Sequence, residues 1–134
     1  MNKLNKLNIL ILEDDTLTLS VIYSALDELA EERDIEFKTM QFSSYLHVEG
    51  VVNKLISDTF DLVLLDRDCI DGKSFHIIDF KKFGVDKMIS ISSNPEWNEN
   101  ALREGVAHVV QKDFRNMNAF KITLKEAVNE VIKI

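Results

Sequence analysis

The chain has 134 residues, 46% apolar and 29% charged, a globular composition of about one domain's size. Its net charge of −7, with no long basic run, argues against nucleic-acid or anionic-lipid binding through bulk charge. The lone cysteine, Cys69, rules out an intrachain disulfide and fits a reducing, cytoplasmic setting.

The N-terminal "MNKLNKLNILILEDD" carries an apolar run that stops at acids after about six residues, too short for a signal-peptide core or a membrane span. Residues 7–12 read as a strand buried on both faces. Residues 16–30 follow with a helical stripe of Leu17, Val21, Ile22, Ala25, Leu26 and Leu29. Residues 35–42 mix apolar and polar positions as an edge strand does. A second helix is expected over 45–57 through Leu46, Val51, Val52, Leu55 and Ile56, weakened by Gly50. Residues 61–65 form another apolar strand, and a helix over about 73–82 stops near Gly84. "KMISIS" (87–92) is the fourth strand. Pro95 opens a short helix that Gly105 closes, "AHVVQ" (107–111) is the fifth strand, and a last helix runs over about 118–133.

Five strand–helix units in series, with strands apolar on both faces, predict a doubly wound α/β domain with a parallel sheet, one domain over 1–134. Ligands of such sheets sit beyond the carboxyl ends of the strands. There the sequence places Glu13, Asp14 and Asp15 after the first strand, Asp66 and Asp68 after the third, Ser92 and Ser93 after the fourth, and Lys112 after the fifth. Taken singly these are ordinary helix caps, turn residues and a surface lysine. Together they suit chemistry: crowded carboxylates favour a hard divalent cation such as Mg²⁺, and an aspartate there can attack phosphorus. His47, His76 and His108 lack metal-ligand spacing, and Cys69 reads as a small buried thiol.

"ILILEDD" (9–15), "DLVLLD" (61–66), "ISISS" (89–93) and "EGVAHVVQK" (104–112) resemble the receiver domain of bacterial two-component response regulators over nearly the whole chain. The resemblance implies a flavodoxin-like (βα)5 fold with strand order 2-1-3-4-5. It implies Asp66 as phosphoacceptor, and Mg²⁺ held by Glu13, Asp14, Asp66 and the main-chain carbonyl of Asp68. Ser92 takes the place of the conformational hydroxyl and Lys112 that of the phosphate-binding lysine. The implied donor is a phosphohistidine on a sensor histidine kinase or phosphotransfer protein. The implied output is a downstream protein partner or output domain, with no direct nucleic-acid or membrane contact. Such a chain is a self-phosphorylating and self-dephosphorylating switch rather than a turnover enzyme, and either stands alone or is part of a longer regulator.

Departures stand beside the match. "RDCIDG" reaches its glycine early, "KDF" replaces the family's lysine–proline, and Val109 stands where the family often has an inward-swinging aromatic. The signalling face is expected to include Trp97, Val109 and Phe120. Two alternatives remain: a receiver-like interaction module that is never phosphorylated, and a Mg²⁺-dependent phosphatase of the haloacid dehalogenase type, suggested by "LVLLDRD".

Overall fold

A computed structural model describes residues 5–68 and 75–132. Five strands, β1 (Asn5–Leu12), β2 (Ile35–Phe42), β3 (Leu62–Asp66), β4 (Met88–Ser92) and β5 (His108–Gln111), form one parallel sheet in the order β2-β1-β3-β4-β5. Helices α1 (Thr16–Arg33), α2 (Leu46–Gly50), α3 (Phe80–Phe83), α4 (Pro95–Arg103) and α5 (Met117–Ile132) cover its two faces. Three-residue 3₁₀ turns lie at Val52–Lys54, Phe75–Ile77 and Val85–Lys87. The winding reverses between β1 and β3, the expected doubly wound single-domain arrangement. No helix among the described residues is long and apolar enough to cross a membrane.

Period-two alternation splits the strand side chains between two cores. Ile9, Ile11, Leu62, Leu64, Ile89, Ile91 and Val110 pack against α1 and α5. Leu10, Leu12, Val63, Leu65 and Met88 pack on the other face with Val48, Val52, Phe60, Phe75, Phe83 and Ala101. β2 pairs only with β1 and is an edge strand, as its mixed pattern predicted.

Several helices differ from expectation. α1 continues to Arg33 and stops where Asp34 adopts a left-handed φ of 55°, its N–H bonding Ala30 O. Leu17 lies 51% exposed instead of in the stripe; Thr18 is buried, tied by both its N–H and its hydroxyl to Asp15 Oδ2. The helix expected over 45–57 breaks after five residues. Gly50 disfavours helix and Val51 leaves helical geometry (φ −127°, ψ −61°), so the chain continues as a 3₁₀ turn. Val48 and Val52, four residues apart, take the core positions, and Leu46, Val51 and Ile56 face solvent. The start expected near 73 for the third helix lies outside the described residues, as do Cys69 and the early glycine at 72. α3 itself is a single turn, Phe80–Phe83, capped by Asp79 Oδ1 accepting the N–H of Lys82 and ended by Gly84 at φ 88°. Phe120 is not on a signalling surface: α5 turns it into the core at 1% exposure. Trp97 is partly exposed on α4, and Val109 packs half-buried on the second face.

Candidate functional site: an acid–lysine cluster at the strand ends

Register builds the site. Leu12 pairs with Leu65, so Glu13 follows β1 level with Asp66; Asp66 pairs with Ile91, and Ser92 with Gln111, just before Lys112. Residues more than fifty positions apart therefore share one edge. Glu13 and Asp66 are each 1% exposed and Lys112 5%, while Asp14 remains in solvent.

Lys112 Nζ is the hub. It donates to Asp66 Oδ1 at 2.9 Å, lies 3.0 Å from Glu13 Oε1 in an ion pair that lacks hydrogen-bond angles, and approaches Asp68 Oδ2 at 3.4 Å. Glu13 Oε2 accepts the N–H groups of Asp14 and Asp15 at 3.0 and 3.1 Å. Gln41 Nε2 donates to the main-chain oxygen of Glu13 at 2.9 Å, fixing this turn to the end of β2. Asp66 Oδ1 also accepts the N–H of Asp68 at 2.7 Å.

The electrostatics follow from burial. Desolvation pushes the Glu13 carboxyl well above the usual carboxylate range; the charge of Asp66 adds to this and Lys112 only partly offsets it. Asp66 is raised for the same leading reason, with Lys112 and hydrogen bonds holding it back. Burial works against the charge on Lys112, but Glu13 and Asp66 outweigh it and raise the pKa of the ammonium above its ordinary value. Burial also works to raise Asp68, yet the Ser92 hydroxyl and the Ser93 N–H prevail, and its carboxyl ends below the usual value.

A divalent cation fits this donor set. Oxygen atoms of Glu13, Asp14 and Asp66 come within 4.8 Å of one another. Asp66 Oδ2 is buried without a hydrogen-bond partner, which in a polar site is costly unless a cation or water meets it; Glu13 Oε1 has the Lys112 ammonium beside it but no hydrogen bond. All-oxygen donors that include carboxylates suit a hard ion such as Mg²⁺.

Some expected site residues play other parts. Asp15 caps α1 through Thr18. Asn94, not either serine, caps α4, its Oδ1 accepting the N–H of Glu96. Ser92 Oγ donates to Asp68 Oδ1 at 2.6 Å and does not reach Asp66 directly. The turn after Lys112 is ordered by Asp113 Oδ1, which accepts the N–H groups of Arg115 and Asn116 at 3.0 and 3.1 Å. His47 stacks on Phe42 with ring centroids 5.3 Å apart, and His108 begins β5 half-buried; neither joins the acidic site. The side chain of His76 lies outside the described residues.

One participant takes a part that sequence reasoning did not read, and a second escaped it altogether. The Asp68 side chain, expected as an acid at the end of β3 and a flank of the acceptor, lies among the cluster's hydrogen-bond donors. The Ser93 N–H donates to Asp68 Oδ2 at 2.7 Å. The D-x-D spacing of 66 and 68 was the available signal for the first; a main-chain donor leaves none. Asp14, Asp15, Leu17, Asp68, Lys112 and Phe114 line an opening of about 340 Å³ above the cluster. A larger groove of about 750 Å³ runs between α1 and the start of β2, at the opposite end of the sheet.

No protein-family model and no curated protein matches this sequence. Solved structures do match. The phosphorylated cyanobacterial phytochrome response regulator RcpA is 13% identical over 95% of this chain and 94% of its own, with a TM-score of 0.66. The Mn²⁺-bound form of response regulator Rcp1 is 14% identical over 92% and 91%, with a TM-score of 0.67. A response regulator receiver domain from Rhodospirillum rubrum is 17% identical over 90% and 94%, with a TM-score of 0.61. At these identities the likeness is one of backbone architecture, and the chain has the flavodoxin-like fold of response regulator receiver domains.

Proposed function

We propose that this chain is a phosphoacceptor of two-component signalling, taking a phosphoryl group on Asp66 in a Mg²⁺-dependent reaction. The observation that carries the reading is the pairing of Asp66 with Lys112 at 2.9 Å beside two further acids at a strand-end crevice. Burying an aspartate with one oxygen unpaired is costly for a purely structural role, which supports the reading.

Asp66 supplies the nucleophile. Its Oδ1 is committed to Lys112 and the Asp68 N–H, whereas Oδ2 keeps its lone pairs free, as an attacking or metal-ligating oxygen requires. In transfer from a phosphohistidine, an Asp66 oxygen forms the new P–O bond as the P–N bond breaks, and the imidazole leaves with the electron pair and takes up a proton. Lys112 offsets charge gathering on the phosphoryl oxygens, and Ser92 and the Ser93 N–H offer donors at the same edge. Glu13, Asp14 and Asp66, with the Asp68 main-chain carbonyl, would hold Mg²⁺, which would add positive charge to that of Lys112 against the phosphoryl oxygens. Donors fitting this chemistry are a sensor histidine kinase or a phosphotransfer protein; the output is docking to a downstream protein or domain. Modification is stoichiometric, so the chain acts as a switch and not as a turnover enzyme.

Incubation with Mg²⁺ and acetyl phosphate is expected to add one phosphoryl group by intact mass, lost in Asp66→Asn. Absence of the adduct in the unmutated chain would overturn the reading in favour of an unphosphorylated interaction module, a reading favoured by the valine at 109. Sustained release of phosphate from a generic phosphomonoester would instead indicate a phosphatase.

A further inference from the structure

Three donors converge on the Asp68 carboxylate. The Ser92 hydroxyl reaches Oδ1 at 2.6 Å, the Ser93 N–H reaches Oδ2 at 2.7 Å, and Lys112 Nζ stands 3.4 Å from Oδ2. A hydroxyl, a main-chain amide and an ammonium around one anion form the set of groups a phosphoryl group on Asp66 would need for its terminal oxygens. Residue 68 cannot drift away easily, because its own N–H is bound to Asp66 Oδ1 at 2.7 Å. Its side chain lines the opening through which Lys112 is approached.

From this arrangement, and resting on the phosphoacceptor reading above, we propose that the Asp68 carboxylate is a built-in competitor: it occupies the donors of an incoming phosphoryl group and restrains its uptake at Asp66. The hydroxyl and the amide each have a single proton to donate, so two anions cannot hold both at once, and each draws on the ammonium. Phosphorylation must therefore displace the Asp68 side chain, breaking two short charge-assisted hydrogen bonds and bringing a dianion near a carboxylate. Ser92 is already engaged in the unmodified chain, so phosphorylation exchanges one anion for another at this hydroxyl.

The test uses the full chain and its Asp68→Asn and Asp68→Ala variants, each incubated with Mg²⁺ and a series of acetyl phosphate concentrations, with Asp66 adduct followed by intact mass. Removing the competitor should raise uptake at limiting acetyl phosphate by about tenfold in Asp68→Ala, the equivalent of one charge-assisted hydrogen bond. Asp68→Asn, which keeps an acceptor oxygen but no charge, should fall between Asp68→Ala and the unmutated chain. The gain should appear as a lower half-saturating concentration, a signature that general loosening of the loop does not produce. Beryllofluoride binding, read by Trp97 fluorescence, should tighten in the same order. Uptake in Asp68→Ala equal to or slower than in the unmutated chain overturns the inference while leaving Asp66 as acceptor. If Asp68→Ala does not fold, Asp68→Asn decides alone, and an unchanged half-saturating concentration overturns the inference. No adduct in any of the three chains sinks the phosphoacceptor reading, and this inference with it.

Discussion

The two faces of the sheet are built differently. One is covered by α1 and α5, of 18 and 16 residues, which pack long regular stripes over the strand side chains. Their outer sides are linked by Lys121 and Lys125 to Glu28, Lys125 to Glu32, and Arg33 to Asn129. The other face is covered by helices of five, four and nine residues joined through 3₁₀ turns. Its aromatic residues Phe60, Phe75 and Phe83 are contributed largely by connecting segments. Its α4 is fastened by a buried polar contact: Ser90 Oγ donates to Asn98 Oδ1 at 3.1 Å, and Asn98 Nδ2 donates to Val110 O at 3.0 Å. A face made of long cooperative helices resists local opening, and one made of single turns opens at lower cost. The strand-end cluster reaches both, through Glu13, which accepts the N–H groups of the turn into α1, and through Arg67, paired with Glu104 at the end of α4 at 3.7 Å.

The largest expected effect tests this asymmetry in the core. Leu124→Ala should cost about 2–5 kcal/mol, because a fully buried leucine of α5 leaves a cavity that the long helix cannot collapse into. Val52→Ala on the opposite face should cost about 1 kcal/mol, since it deletes less and its 3₁₀ turn can relax. Equal losses in denaturant titration would refute the contrast. Next comes Asn98→Ala, which strands the Ser90 hydroxyl and Val110 O and should cost about 1–3 kcal/mol. Faster amide exchange confined to α4 and its neighbours is the confirming signature.

A third effect concerns the edge shared by both faces. The carboxyls of Glu13 and Asp66 titrate higher in the folded than in the unfolded chain. The folded state therefore holds the extra proton in the window above the ordinary carboxylate range. Their contribution to stability is greatest below the unfolded pKa values and falls as pH rises through the raised folded ones, by at most roughly 1.4 kcal/mol per pH unit for each proton held. Melting curves from about pH 5 to about pH 8 without divalent ions should show the decline, and Mg²⁺ should flatten it. Asp14→Ala should weaken that flattening; an unchanged Mg²⁺ response would remove Asp14 from the metal set. The smallest effect is Lys125→Ala. Its ion pairs with Glu28 and Glu32 are solvent-screened, so the melting temperature should drop only slightly, and less at high salt.

The strands were the most legible part of the chain. β2 matches its expected limits, and the other four shift by one or two residues at one or both ends, because an apolar run between turn residues needs a sheet whatever its neighbours do. α1 and α5 were legible through their periodicity. The second helix was not: Leu46, Val51, Val52, Leu55 and Ile56 give a plausible stripe, yet the chain bends at Gly50 and Val51, and of these Val52 is fully buried, joined by the unexpected Val48. At the site, Glu13, Asp14, Asp66 and Lys112 were readable as residues at strand ends, and register brings them together. Ser92 was placed correctly at the end of β4; that its hydroxyl meets the Asp68 carboxylate was not legible.

Residue order and hydrophobic period were enough to specify five buried strands, their alternation with helices and the chemical types at their carboxyl ends, because those features depend on neighbours along the chain. The partner each polar group takes was decided only when the sheet assembled. Which acid stays in water, which shares the ammonium, and that Asp68 rather than Asp66 takes the Ser92 hydroxyl depend on angles and distances between segments far apart in the chain, where a shift of about an ångström replaces one hydrogen bond with another.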